Sequence, residues 1–285
     1  MTFGSNLVAM VTPMNPDGSI SEPAVAGLVE HLLATACDGI VVNGTTGESP
    51  TVTDAEAAHL VGLVAARAPV IAGVGTYDTA SSIRRARDAE AAGASGLLVV
   101  CPYYSKPSQA GVIAHCRAVA DATALPVMLY DVPARTGMSM TAATLTELAG
   151  HPRIRAVKDA KGDLFEAMTV MATTTLDYYC GIDELNLPYL ASGAAGIVSV
   201  TGNIVADRNA ELIRAVRDND LATARKINAS LLPLTAALMH GEGGAAMAKA
   251  ALAELGIIPH PTVRLPLTEP STLDQLRAAL ATVSA

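Results

Sequence analysis

The sequence predicts an α/β chain: a (β/α)8 TIM barrel followed by a C-terminal helical appendage. Three observations lead there. Short apolar runs alternate strictly with longer, Ala-rich amphipathic stretches. Most runs are built from Val, Ile and Leu without polar alternation, as parallel strands covered on both faces are. The alternation yields eight strands and eight helices over residues 1–218, and eight is the number at which βα units close into a barrel. An open doubly wound sheet is the competing architecture.

The strand candidates, in order, are Leu7–Val11, Gly39–Val42, Val70–Val74, Gly96–Val100, Val127–Tyr130, Ile154–Val157, Leu176–Cys180 and Gly196–Val200. Asp177 interrupts the seventh, which makes it the least regular. The helix candidates between them are Pro23–Ala36, Asp54–Arg67, Thr79–Ala92, Gln109–Ala122, Ala142–Ala149, Leu164–Thr173, Leu185–Ala191 and Asn203–Asp218. Thr53-Asp-Ala-Glu56 is a capping-box pattern. Gly93 and Gly193 stand where helices stop. Beyond Asp218 no strand pattern recurs, and Ala222–Met239, Ala245–Leu255 and Thr272–Val283 read as three further helices. The expected division is therefore a barrel over residues 1–218 and a helical region over 219–285.

Composition narrows the function. The chain has 285 residues, is 51% hydrophobic and 16% charged, and carries a net charge of −8. It can bury a large core. Its acidity argues against a nucleic-acid partner, which needs clustered Lys and Arg, and three per cent aromatics without Trp offers no base-stacking platform. No apolar run is long enough to span a membrane. The N-terminus lacks a basic region followed by an apolar one, so no signal peptide is expected. Cys37, Cys101, Cys116 and Cys180 form no close pair, which suggests neither zinc nor disulfides and fits a reduced, cytoplasmic setting. His31, His59, His115, His151, His240 and His260 form no metal-ligand pair.

In a barrel of this kind the chemistry belongs at the C-terminal strand ends, and the unusual residues fall there. The chain has only five lysines, and Lys158 alone directly follows a strand candidate, where it would point into the barrel mouth. Burial disfavours a charged ammonium, and a neutral amine can add to a ketone to form a Schiff base. A structural lysine paired with Asp159 or Glu48 is the alternative. Tyr130 ends the preceding strand, 28 residues earlier. A phenol next to such an amine can shuttle protons. The Gly44-Thr45-Thr46-Gly47-Glu48-Ser49 loop offers backbone N–H groups and hydroxyls suited to a small carboxylate; it is neither a Walker loop nor a nucleophile elbow. Arg135, just past strand five, can clamp a second carboxylate or make a surface ion pair. Gly73-Val-Gly75 lacks the third glycine of a dinucleotide fingerprint.

These residues resemble, across essentially the whole chain, the dihydrodipicolinate synthase / N-acetylneuraminate lyase family of class I, pyruvate-dependent aldolases. Gly44-Thr-Thr-Gly-Glu48 matches one signature, and Tyr130-Asp-Val-Pro followed by Lys158-Asp-Ala matches the other. Two threonines in the loop, Pro102-Tyr-Tyr104 and Arg135 match the synthase branch. The resemblance implies condensation of pyruvate with aspartate-4-semialdehyde, with a sugar-acid aldolase or dehydratase as the alternative. A non-catalytic barrel that binds a small acid is the rival outside enzymes. The resemblance further implies an imine at Lys158, proton transfer by Tyr130, and a relay completed by Thr45 and by Tyr104 from a neighbouring subunit. Thr46 and the Val198 backbone would hold the pyruvate carboxylate, and Arg135 the semialdehyde's. It implies no metal or organic cofactor and a homotetramer made of two tight dimers. Gly181-Ile-Asp183 stands where Gly-Asp-Asp is common, a difference of rim polarity. Lysine-sensitive members carry His residues after the threonine loop and Asn and Glu after strand three. Asp54, Ala57, Tyr77 and Ser81 stand at those positions here, so weak or absent inhibition by lysine is expected.

Overall fold

The computed structural model describes residues 2–283. Eight parallel strands close into a barrel in chain order: β1 (Asn6–Ala9), β2 (Gly39–Val42), β3 (Val70–Gly73), β4 (Gly96–Val100), β5 (Val127–Asp131), β6 (Ile154–Asp159), β7 (Asp177–Cys180) and β8 (Gly196–Ser199), with β8 pairing back onto β1. The strand faces explain the unbroken apolar runs. One parity (Leu7, Ala9, Val41, Ile71, Leu98, Met128, Ala156, Tyr179, Val198) fills the barrel interior. The other (Val8, Ile40, Val42, Leu97, Val99, Leu129, Val157, Ile197) packs beneath the helices. Both faces are dry along most of the strands, Arg155 and Asp177 excepted, so hydrophobicity rarely alternates.

The helices are α1 (Glu22–Ala34), α2 (Asp54–Ala65), α3 (Thr79–Ala91), α4 (Gln109–Asp121), α5 (Pro133–Thr136), α6 (Ala142–Ala149), α7 (Leu164–Thr173), α8 (Asn186–Ala191), α9 (Gly202–Arg217), α10 (Leu221–Met239), α11 (Gly244–Glu254) and α12 (Asp274–Val283). The capping box of α2 is formed: the Thr53 side chain accepts from the Glu56 N–H, and the Glu56 carboxylate accepts from the Thr53 N–H at 2.9 Å. Gly93 and Gly193 follow their helices at φ +94° and +101°. Among the described residues, no helix is long and apolar enough to cross a membrane.

Two departures from the sequence-based expectation, and the placement of the C-terminal helices, bear on the site. β5 and β6 run on to Asp131 and Asp159, past the end of their apolar runs, so Lys158 lies within a strand rather than after it. The one-turn helix α5, unanticipated, follows β5 directly and carries Arg135. The last three helices are packed onto the barrel's outer layer: Leu234, Leu238, Met247, Leu252 and Leu276 belong to the same buried cluster as Val8 and Leu28.

Candidate active site

Strand register brings the first two residues together. In the parallel β5–β6 pair, Tyr130 lies opposite Lys158 and Asp131 opposite Asp159. Lys158 is two residues on from the inward-facing Ala156, so it shares the interior face with Tyr130. Its residue is 5% exposed. Its Nζ lies over the Tyr130 ring, 4.3 Å from the centroid. The structural alternative for Lys158 needed Glu48 or Asp159 as a partner, and both are engaged elsewhere. Glu48 is ion-paired with Lys249. Asp159 accepts hydrogen bonds from the N–H groups of Lys161 (2.7 Å) and Gly162 (3.3 Å). Space for the lysine stem comes from Gly181, at the end of β7. A Cβ there would stand 2.9 Å from Lys158 Cε and 3.0 Å from the Asp159 carbonyl oxygen, and the backbone cannot yield to that contact.

The Gly44–Ser49 loop forms the next wall. It is a run of tight turns closed by Gly47 N–H to Gly44 O (3.1 Å), Glu48 N–H to Thr45 O (3.1 Å) and Ser49 N–H to Gly44 O (3.2 Å). Thr12 on the neighbouring strand end donates its hydroxyl to Gly47 O at 2.8 Å. Among the described residues the N–H groups of Thr45 and Thr46 have no protein acceptor. A buried N–H needs one, and a small carboxylate would supply it.

A cavity of about 530 Å3 opens at this end of the barrel. Thr45, Tyr130 and Arg135 line it, with Tyr77, Ser81 and Arg85 on the side toward α3. The Arg135 guanidinium makes no ion pair or hydrogen bond among the described residues, so it is available to an incoming anion. Lys158 and Thr46 are buried beside the cavity rather than lining it, and Val198 packs with Tyr130 in the interior cluster. Tyr104 stands apart. It is 90% exposed and held at φ +67°, a backbone region bulky residues rarely occupy. Within this chain it does not reach the cavity; Tyr103 does.

Behind the wall lies a buried acidic pair, of which the sequence-based expectation includes only Asp159, and only as a partner of Lys158. Asp131 and Asp159 face away from the barrel interior. Asp131 accepts from Ser139 Oγ (2.9 Å) and Met140 N–H (3.2 Å). Lys161 Nζ is 4.0 Å from Asp131 Oδ2 and bonded to Glu166 at 2.6 Å. Burial pushes the Asp131 carboxyl up to about 6, and raises Asp159 as well. The signal was present in the sequence: both acids directly follow the Tyr and Lys already singled out. Asp183 is also more than rim polarity. It accepts from Ser199 Oγ (2.5 Å) and from the N–H groups of Val200 (2.8 Å) and Thr201 (3.0 Å), tying β7 to the end of β8 next to Val198. Gly73, half of the weak glycine pattern, has a packing reason: a Cβ there would meet the Asn43 carbonyl oxygen at 2.1 Å.

The chain matches the dihydrodipicolinate synthetase family over residues 2–284. It is 51% identical to the 4-hydroxy-tetrahydrodipicolinate synthase of Mycolicibacterium paratuberculosis, across 99% of this chain and 95% of that one. Among solved structures, the lysine-bound enzyme of Cyanidioschyzon merolae superposes with a TM-score of 0.95 at 36% identity, covering 99% of each chain. A monomeric dihydrodipicolinate synthase variant superposes at 0.94 with 31% identity, over 99% of this chain and 97% of that one. With near-complete coverage on both sides and a shared closed barrel, the chain belongs to the dihydrodipicolinate synthetase family.

Proposed function

We propose that the chain condenses pyruvate with aspartate-4-semialdehyde to 4-hydroxy-tetrahydrodipicolinate, a lyase-class step of diaminopimelate and lysine biosynthesis. The observation that carries this reading is a buried lysine with no acid partner among the described residues, set in register beside a tyrosine at the mouth of a barrel.

The chemistry runs as follows. Lys158 Nζ adds to the ketone carbon of pyruvate, and water leaves to give an iminium. The iminium acidifies the adjacent methyl group, and Tyr130 takes its proton to yield the enamine. The enamine carbon attacks the aldehyde, and the new alkoxide takes a proton back through Tyr130. The semialdehyde's own amine then displaces Lys158 from the imine carbon, closing the ring and freeing the enzyme. One water is released overall. Thr45 and Tyr104 complete the proton relay. Thr46 and the backbone at Val198 hold the pyruvate carboxylate, supported by the unpaired N–H groups at Thr45 and Thr46. Arg135, free of any acid and on the cavity wall, takes the second substrate's carboxylate. The exposed, strained Tyr104 is suited to a neighbouring subunit's site, in keeping with a homotetramer built from tight dimers.

Borohydride reduction in the presence of pyruvate, followed by peptide mass spectrometry, tests the reading. A single reduced adduct on Lys158 is expected. An adduct on another lysine, or none, overturns it. A coupled assay comparing aspartate-4-semialdehyde with sugar-acid aldehydes then fixes the second substrate.

A further inference from the structure

The threonine loop is held from a distant part of the chain. Glu48, at φ +59°, turns its side chain away from the cavity into the protein, where its side chain is 1% exposed. There it meets Lys249 of α11, whose side chain is fully buried. Lys249 Nζ also donates to the Thr262 carbonyl oxygen at 2.6 Å. The second Glu48 oxygen accepts the Arg264 N–H at 2.9 Å. The Arg264 side chain completes the strap: it donates to Gly18 O (2.9 Å) and Thr51 O (2.7 Å) and forks onto Glu56, the glutamate of the α2 capping box. The segment after α11 thus holds the β2–α2 connection at Glu48, Thr51 and Glu56.

A buried ion pair is a poor device for stability alone, because desolvation consumes most of its Coulomb energy. A well-packed apolar pair would stabilise at least as well. What this pair adds is direction. It fixes a glutamate in a left-handed turn two residues past Thr46, and so fixes where the Thr45 and Thr46 N–H groups point. A shift of about 1 Å in such donors is enough to cost a substrate much of its hold.

We infer that Lys249 is a positioning residue for the pyruvate carboxylate, acting through its buried pair with Glu48 on the Thr45–Thr46 loop. This rests on the reading of the site proposed above and gives the C-terminal helical region a share in the active site.

The test compares wild type, Lys249→Met and the double variant Glu48→Gln/Lys249→Met. Each is measured for melting temperature, for the pyruvate concentration that half-saturates borohydride trapping, and for KM and kcat with both substrates. Lys249→Met strands a carboxylate and is expected to lower the melting temperature. The double variant buries no charge and is expected to recover it. In both, the half-saturating pyruvate concentration and KM for pyruvate should rise about tenfold or more, kcat should fall as far as the relay hydroxyl of Thr45 is displaced with the loop, and the semialdehyde KM should stay within about threefold of wild type. A double variant whose pyruvate KM returns together with its melting temperature would make Lys249 merely structural and overturn the inference; so would an unchanged pyruvate KM in either variant. Should Lys249→Met not fold, the double variant decides alone. Failure of wild type to trap pyruvate on Lys158 is a different result: it removes the reading of the site rather than the role of Lys249.

Discussion

Asp131 and Asp159 sit one residue beyond Tyr130 and Lys158 and opposite each other in the strand register. The same extension of β5 and β6 that aims the tyrosine and lysine inward aims these two acids outward into a dry layer, against Tyr178 and Tyr189. Only one lysine, Lys161, approaches Asp131, and Glu166 already holds it. Burial therefore dominates, and the Asp131 carboxyl is raised to about 6. A carboxyl raised in the fold favours the native state while it is protonated. That contribution is complete below the unfolded value, near 4, and is lost as pH rises through the folded value, near 6. Asp131→Asn keeps an oxygen for the Ser139 and Met140 donors and cannot ionise. Its stability relative to wild type should be about 2 kcal/mol more favourable at pH 7.5 than at pH 4.5, read by urea unfolding at the two pH values. An equal difference at both would mean that Asp131 does not carry this proton.

At the scale of elements, the start of α3 shapes one side of the cavity, and α2 stands behind it through the Asp54–Arg85 pair. Tyr77 and Ser81 line it, while Asp54 is taken by Arg85 at 2.7 Å and Ala57 offers no polar group. An ammonium ligand finds no free carboxylate at Asp54, a hydroxyl at Ser81 and a guanidinium close by. Free lysine is accordingly expected to leave activity nearly unchanged at sub-millimolar concentration; strong inhibition there, in an initial-rate titration, would refute this account. The same elements show what sequence can carry. The strand starts were legible because Val, Ile and Leu begin there without polar company. The ends of β5 and β6 were not, because Asp131 and Lys158-Asp159 look like loop residues to any hydrophobicity pattern. Lys158 and Tyr130 are nonetheless conspicuous in the sequence, as an ammonium and a phenol at the ends of apolar strands. α5 is too short to show a helical period. The Glu48–Lys249 pair joins positions about two hundred residues apart, and only the closed fold brings them together.

At the scale of the molecule, the proposed relay is incomplete in a single chain. Tyr103 turns inward, edge-on to Tyr77 with ring centroids 5.4 Å apart, and lines the cavity. Tyr104, its neighbour, is thrown outward by its left-handed backbone. A large ring kept 90% exposed in a strained conformation gains nothing for the isolated chain; it gains contact area only against another surface. If that surface is the cavity of a symmetry-related copy, each dimer exchanges two tyrosines. Co-expression of Lys158→Ala and Tyr104→Phe chains then has a definite outcome. The first homo-oligomer lacks the amine and is inactive, and the second lacks the relay hydroxyl and is slow. In a mixed dimer, the Tyr104→Phe chain keeps Lys158 and receives Tyr104 from its partner. Random pairing makes half the dimers mixed, with one complete site in each. About a quarter of wild-type activity should return in the unfractionated mixture, and about half in mixed dimers isolated through two different tags. Activity no greater than that of the separate variants would show that Tyr104 serves its own chain or none.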